Sequence, residues 1–174
     1  MTKEFWINLP VKDIKRTKDF FTQLGFTFKP LPGNREDAAC LILGSKSVQV
    51  MFFEEHEFRS FTNSDIPDTS RNNEVLFSVD AENAEEINML ASKVSKAGGK
   101  IFAEPGEKDG WMYGFGFTDP DGHKWNVLHM DESKMQQQHQ NQEQGQEQEH
   151  PQDHEQVQEQ EQQQQQTRQE LQVP

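Results

Sequence analysis

The stretch NLPVKDIKRTKDFFTQLGF, residues 8–26, decides the fold because it joins a strand to an amphipathic helix. Residues 5–13 have strand character, and residues 14–24 place apolar side chains at helical spacing after Asp13, a favoured N-cap residue. Gly25 follows the last of them, as is typical of a helix end. Three extended segments come next: residues 26–29, 38–43 and 47–53. The first half of the chain therefore predicts the order strand, helix, three strands.

The second half of the chain repeats this order. Residues 74–80 have strand character, and an apolar stripe at helical spacing starts at Ile87. Asn83 and Glu86 are spaced as a capping box, and Gly98 ends the helix. Three further extended segments follow: residues 100–104, 111–117 and 123–130. The repeat predicts two similar modules, over about residues 3–53 and 73–131, that pack together because neither half has a generous core of its own.

Two segments lie outside the repeated modules. Residues 54–72 carry Phe58 and Phe61 and then mostly polar residues, which predicts a short helix followed by a linker. Residues 132–174 form a low-complexity tail, which from residue 135 onward contains nineteen Gln, eight acidic residues and one Arg. This composition buries too little apolar surface to offset its conformational entropy. We therefore expect disorder there, or at best a fraying, solvent-exposed helix.

Charge and cysteine content exclude several classes of function. The tail from residue 135 carries −7 of the whole-chain net charge of −13, and residues 1–134 carry the other −6. A phosphate backbone or an anionic membrane needs a basic patch, so we expect neither nucleic acid nor membrane as a partner. The single cysteine, Cys40, excludes an intramolecular disulfide and a thiolate zinc cluster. Without an apolar run long enough for a signal peptide or a membrane span, the sequence predicts a soluble, cytoplasmic protein.

Three short motifs accompany the repeated order of elements. A Val-x-Asp sequence at Val11 follows the first strand, Leu-Gly-Phe at 24–26 follows the first helix, and Asp-Pro-Asp-Gly-His at 119–123 precedes the last strand. With these motifs, residues 3–131 resemble the vicinal oxygen chelate superfamily, which holds glyoxalase I, the bleomycin resistance proteins and the extradiol dioxygenases. The resemblance implies an α+β fold in which two βαβββ modules form an open eight-stranded cup, with the site on its concave face. Residues 1–131 would be this domain.

The resemblance also implies four positions that point into the cup. In the metal-dependent members these positions hold one divalent ion through His and Glu side chains. Here they are occupied by Trp6, Met51, Glu74 and Asn126, with Val50 in place of Met51 if the register slips by one. An indole cannot ligate and a lone thioether suits copper(I), so Glu74 is the one good ligand and Asn126 a second, weak one. We therefore expect no resident metal, with a weak divalent site as the alternative.

The same cup predicts a ligand-binding surface. Asn8 lies two residues from Trp6 and so shares its strand face. The candidate substrate-binding residues are Trp6, Asn8, Met51, Trp111, Tyr113 and Asn126. Their rings would stack on a flat or apolar ligand, and Asn8, Asn126 and Tyr113 would orient it. The glycines near Trp111 predict a bulge or a close approach by the ligand or by backbone.

Glu74 is the candidate catalytic residue. A carboxylate desolvated beside Trp6 can act as a general base, whereas a solvated residue at the start of its strand is the equal alternative. Two functions follow from the resemblance. The first is binding of a small, partly aromatic or apolar molecule without a metal, as in the bleomycin resistance proteins. The alternative is a metal-dependent enzyme of the lactoylglutathione lyase or extradiol dioxygenase type. The resemblance also implies a homodimer, in some members with exchanged modules.

Overall fold

The computed structural model describes residues 5–69 and 71–149. The chain divides into one unit that ends at Met130 and a second that begins at Asp131. The strands are β1 (Trp6–Val11), β2 (Thr27–Lys29), β3 (Ala38–Leu43), β4 (Val48–Glu54), β5 (Leu76–Asp80), β6 (Lys100–Lys108), β7 (Met112–Thr118) and β8 (Lys124–Met130). The α-helices are α1 (Ile14–Leu24), α2 (Glu55–Thr62), α3 (Ala84–Ala97) and α4 (Glu132–Glu149).

The strands form two four-stranded sheets, one from each module. The strand order is β1-β4-β3-β2 in the first sheet and β5-β8-β7-β6 in the second. In both sheets the first strand of the module is parallel to the fourth, and the other pairs are antiparallel. The predicted α+β fold of two βαβββ modules, whose sheets are the walls of the cup, is therefore confirmed.

The helix ends follow the predicted capping residues. Asp13 accepts a hydrogen bond from the Arg16 backbone N–H at 2.9 Å, and Asn83 accepts one from the Glu86 N–H at 2.9 Å. The helices α1 and α3 end at Gly25 and Gly98, whose φ angles of 102° and 95° lie in the left-handed region that glycine tolerates. Local sequence thus determines where both helices begin and end.

One hydrophobic core joins the two modules. The ring of Phe21 on α1 lies 5.3 Å from Phe52 of the first sheet and 5.2 Å from Trp125 of the second. On α3, Ile87 and Val94 are fully buried in the same core. We call the face of each sheet that packs into this core its inner face, and the opposite face its open face. Because both inner faces share one core, the two open faces point away from it.

The sixth strand is longer than the sequence predicts. Residues 100–104 are the predicted segment, whereas β6 continues to Lys108 through Pro105 and Gly106. The register shifts between Ile101 and Ala103 and again between Ala103 and Gly106. A proline lacks the N–H that a ladder needs, and it is tolerated here because β6 is at the edge of its sheet and irregularly paired.

In the second unit, α4 begins after Asp131, whose carboxylate accepts a hydrogen bond from the Lys134 N–H at 3.1 Å. The sequence predicted either disorder or a solvent-exposed helix for the tail, and residues 132–149 form a helix. Residues 150–174, to which the prediction of disorder also applies, lie outside the described residues. Across the helices that the structure describes, none combines the length and the apolar character needed to cross a membrane.

Candidate functional site

The first wall of the cup is the open face of the first sheet. Asn8 on β1 is paired with Met51 on β4, and Trp6 is paired with Gln49. Side chains alternate along a strand, and Leu9 and Val50 are buried in the core, so Trp6, Asn8 and Met51 face the other way. Trp6 is 50% exposed. This wall therefore presents an indole, an amide and a thioether side by side.

The helix α2 packs over one end of the first wall. The ring of Phe61 on α2 lies 5.0 Å from the ring of Phe53, which follows Met51 on the same face of β4. Phe58 packs beside Phe61 at 6.1 Å. The short helix predicted after the first module is confirmed. It covers the open face near Phe53 and leaves the part around Trp6, Asn8 and Met51 uncovered.

The second wall is the open face of the second sheet. Asn126 on β8 lies between Ser78 on β5 and Gly116 on β7. Its neighbours Trp125 and Val127 are buried in the core, so Asn126 points to the open face together with Lys124. The Asp-Pro-Asp-Gly-His turn thus leads directly into a strand that places an amide and an ammonium group on this wall.

The two glycines of β7 on the second wall are covered by neighbouring side chains. A Cβ atom on Gly116 would lie 2.4 Å from the Phe102 ring, and one on Gly114 would lie 2.6 Å from Leu128. The sequence predicted an approach by a ligand or by backbone, whereas the nearest groups are a ring at Gly116 and an aliphatic side chain at Gly114. At Gly114 the Val127 carbonyl oxygen follows at 2.7 Å. Phe102, which is 48% exposed, becomes the aromatic surface of this wall.

Three other candidate residues lie apart from these amides. Tyr113 follows Met112 and precedes Gly114, so it is on the inner side of β7, where its hydroxyl donates to Asn88 of α3 at 3.1 Å. It does not share the open face with Asn126. Trp111 is half-buried and directly precedes β7. Glu74 is exposed, two residues before β5.

The turn before β8 contains a buried acid–imidazole pair. The Asp119 carboxylate lies 2.9 Å from His123 Nδ1, and it accepts from the His123 N–H at 3.0 Å and from Trp125 Nε1 at 3.3 Å. Burial, the largest influence, lowers the pKa of His123, but the bond to Asp119 and the charges of Asp119 and Asp121 raise it overall. Nε2 of His123 has no hydrogen-bond partner among the described residues.

Sequence reasoning missed this pair because it treats His123 as part of a turn that bonds a carbonyl. The spacing of Asp119 and His123 across the turn was the available signal. Asp121 in the same turn accepts from the Lys12 N–H at 3.0 Å and from Arg16 at 2.6 Å. The turn therefore orients β8 and also fastens the second module to the start of α1.

The four positions that the family resemblance identifies as metal ligands do not suit a divalent cation. Trp6 and Met51 provide no hard donor, Asn126 provides an amide, and Glu74 alone provides a carboxylate. On the walls themselves, the regular strand positions that face the cup hold no histidine among the described residues. The chemistry of this donor set does not fit a catalytic metal, which needs about three protein ligands.

A second group of possible ligands lies elsewhere, where the loop before β3 meets α2. The ligand atoms of Asp37, His56 and Glu57 are within 4.8 Å of one another. Arg35 donates two hydrogen bonds to Asp37, both at 2.8 Å, and one to Glu57 at 2.9 Å. This hydrogen bonding lowers the pKa of Asp37. A cation would have to displace a guanidinium group that already compensates both carboxylates.

A cavity of about 800 Å³ opens between α1 and the segment after β2. Phe28 and Leu31 contribute apolar surface, and charged groups of both signs, including Lys18 and Glu36, surround it. It is lined by none of the residues expected in the cup. The site chemistry is therefore assigned to the two walls, where the amides and the exposed rings are.

Comparison with known proteins identifies relatives of this domain. The model of the "Glyoxalase/Bleomycin resistance protein/Dioxygenase superfamily" matches residues 5–127. A solved structure of a hypothetical protein from S. aureus is 30% identical and has a TM-score of 0.66, and the match covers 74% of this chain and 94% of that one. None of the curated proteins matches the sequence.

Two further solved structures are similar in fold. A glyoxalase/bleomycin resistance protein/dioxygenase family enzyme from Burkholderia phytofirmans PsJN is 18% identical, with a TM-score of 0.59 and coverage of 72% of this chain and 96% of that one. A glyoxalase-related enzyme from Fulvimarina pelagi is 14% identical, with a TM-score of 0.63 and coverage of 74% and 88%. At these identities the likeness concerns the fold alone.

Proposed function

Since the chain belongs to the glyoxalase/bleomycin resistance protein/dioxygenase superfamily, with a match over residues 5–127, we propose that it binds a small, partly aromatic or apolar molecule in the cup without a resident metal ion. The observation that carries this proposal is the content of the two walls. They offer Trp6, Phe102 and Met51 as apolar surface and Asn8 and Asn126 as hydrogen-bonding amides. Apolar surface with a few polar groups that fix orientation is typical of small-molecule sites. We expect this function in the cytoplasm, on the sequence argument alone.

The metal-dependent alternative rests on Glu74. As a lyase or dioxygenase of this superfamily, the protein would use Glu74 as ligand or general base, with Asn126 as a weak second ligand. Glu74 is exposed and lies two residues before β5, apart from the amides Asn8 and Asn126 of the walls. We therefore favour metal-free binding.

Metal content distinguishes the two functions. The purified full chain is dialysed against a mild chelator and its divalent metals are counted, with a variant whose tail histidines are replaced by Gln as the control for loose binding. We expect well under about one ion per chain. One tightly held divalent ion per chain that is lost in Glu74→Gln would overturn metal-free binding and support the enzyme.

We infer that the protein is a homodimer in which a second copy covers the open faces of the first. The open faces point away from the core of a single chain and expose Trp6, Leu76 and Met130 at 50%, 47% and 49%. Each sheet also has a free edge, at β1 and β5, among the described strands. Burial of such surface against a second copy removes apolar area and unpaired strand edges from water. The first wall of one copy would then face the second wall of the other.

Sedimentation of the full chain tests the homodimer. We expect a dimer at micromolar concentration that Met130→Asp converts to monomer, because the new carboxylate would be buried in the interface, at the end of β8 away from Lys124. Met89→Asp is the matched control, since Met89 is 60% exposed on α3 and lies on neither wall. A clean monomer of the unmodified chain, or equal weakening by both substitutions, would contradict this arrangement.

A further inference from the structure

The second wall carries a cation that forms no ion pair among the described residues. Lys124 is half-buried on the open face of β8, two residues before Asn126. Its Nζ lies 5.4 Å from the centroid of the Phe102 ring, above the ring face. Within the part of the chain that the structure describes, Lys124 forms no ion pair. A half-buried ammonium is less well hydrated than an exposed one, so it interacts more strongly with an anion that reaches it.

The carboxylates of the same wall are poorly placed to neutralise it. Asp80 is paired with Leu128, four residues farther along β8, which corresponds to about 13 Å at the rise of a strand. Glu74 precedes Leu76, the β5 partner of Lys124, but it is exposed and makes no ion pair with the lysine. Glu104, two residues after Phe102 on β6, forms no ion pair with Lys124 among the described residues either. The adjacent Ser78 and Asn126 are neutral.

The opposing wall does not supply a negative charge either. The positions of β1, β3 and β4 that face the cup hold only neutral side chains: Trp6, Asn8, Pro10, Ala38, Cys40, Ile42, Gln49, Met51 and Phe53. Bringing this wall against the second wall in a dimer would therefore leave the lysine charge uncompensated. On α2, which packs over one end of this wall, Glu55 is already paired with Arg59 and Glu57 with Arg35. An anionic group of a ligand in the cup would supply the missing charge.

From these contacts we infer that the bound molecule is an aromatic anion, with its ring on Phe102 and its anionic group on Lys124. This inference rests on the proposed binding function and specifies the class of ligand. Phe102 lies against Gly116, which has no side chain, and the part of Phe102 that neither Gly116 nor the Lys124 ammonium covers remains exposed for the ligand. Asn126 and Ser78 are adjacent on the wall and supply hydrogen bonds to further polar atoms of the ligand. Lys124 thus selects ligands that carry a negative charge, and Phe102 selects ligands that have a flat apolar group.

Two fluorescent probes that differ by one sulfonate group test the inference on the full chain. Anilinonaphthalene sulfonate is the aromatic anion, and N-phenylnaphthylamine is its neutral counterpart. A hydrogen bond between charged groups corresponds to about a tenfold change in affinity. We expect Lys124→Met to weaken binding of the sulfonate about tenfold while it changes binding of the neutral probe less than about twofold.

Controls separate this effect from net charge and from loss of the site. Lys93→Met on the exposed surface of α3 makes the same change in net charge and should leave both affinities unaltered, whereas Lys124→Arg should keep sulfonate binding. If Lys124→Met leaves the sulfonate affinity unchanged, or lowers both affinities equally, the anion inference is overturned while binding in the cup stands. If neither probe binds the unmodified chain, the proposed binding function fails as well.

Discussion

Substitution of Gly116 by alanine tests the packing that makes Phe102 part of the site. The added methyl group would lie 2.4 Å from the Phe102 ring, so the ring has to withdraw by about 1 Å to reach the carbon–carbon separation of about 3.5 Å at which atoms pack. Overpacking of this kind costs about 1–3 kcal/mol. Phe102 is 48% exposed and can swing outward, which favours the lower half of that range.

Two smaller effects accompany the clash. Withdrawal of the ring weakens its contact with the Lys124 ammonium, worth about 0.5–1 kcal/mol at an exposed site. In the opposite direction, alanine restricts the unfolded chain and stabilises the protein by about 0.4–1 kcal/mol wherever the backbone tolerates it. The steric effect is larger, so we expect Gly116→Ala to lower the free energy of unfolding by about 1–2 kcal/mol relative to a control that has the entropic gain alone.

Gly106→Ala on β6 is that control. A Cβ atom there would meet only the Glu104 carbonyl oxygen, at 3.9 Å, which is an ordinary contact. The free energies of unfolding of both variants are measured by urea denaturation, followed by tryptophan fluorescence and circular dichroism. Gly116→Ala should also weaken binding of the neutral aromatic probe. Equal stability of the two variants within about 0.5 kcal/mol would refute the placement of the ring on Gly116.

Three further substitutions or treatments have defined outcomes. Asp121→Ala should destabilise the chain by about 1–3 kcal/mol in urea denaturation, because it leaves the Lys12 N–H without its acceptor, whereas Asp121→Asn, which keeps an acceptor oxygen, should cost less. The folded-state pKa of His123 is raised, so its protonation stabilises the fold fully below about pH 6.5 and this contribution is lost as the pH rises through the folded-state value. Unfolding of the unmodified chain and of His123→Gln should thus differ more at about pH 5.5 than at about pH 8.5, and an equal difference would contradict the role of the Asp119 pair. The Cys40 thiol is buried, which raises its pKa, so a disulfide reagent should modify it rapidly only after denaturation.

The local structure was predictable from the sequence because its signals are local. Asp13 and Asn83 cap the helices that the apolar periodicity indicates, and Gly25 and Gly98 end them. The duplicated order of elements then predicts two modules of the same topology. The length of β6 was not predictable, because its continuation through Pro105 depends on an edge position and on register shifts set by pairing with β7.

The candidate site was predicted only in part. Alternation along β8 places Lys124 on the same face as Asn126, and the glycines of β7 predict a close approach without naming a side chain as the approaching group. Sequence spacing does not reveal that the group above Gly116 is Phe102, because that contact depends on the pairing of β6 with β7. Sequence spacing also does not reveal that the Tyr113 hydroxyl on β7 donates a hydrogen bond to Asn88 on α3, because α3 and β7 meet through packing in the core.

What the sequence by itself determined is therefore the order of elements, the helix ends and the superfamily to which the chain belongs, all of which depend on residues close together in the chain or on short motifs. Only the tertiary structure decided which face of each sheet meets the core, and so which side chains are left for a ligand. Phe21 is an example: its helical spacing predicts burial, but its position between Phe52 and Trp125 makes one core of two modules. The physical reason is that a side chain becomes buried only when two surfaces pack together. The sequence of one element therefore does not show which of its faces packs into the core.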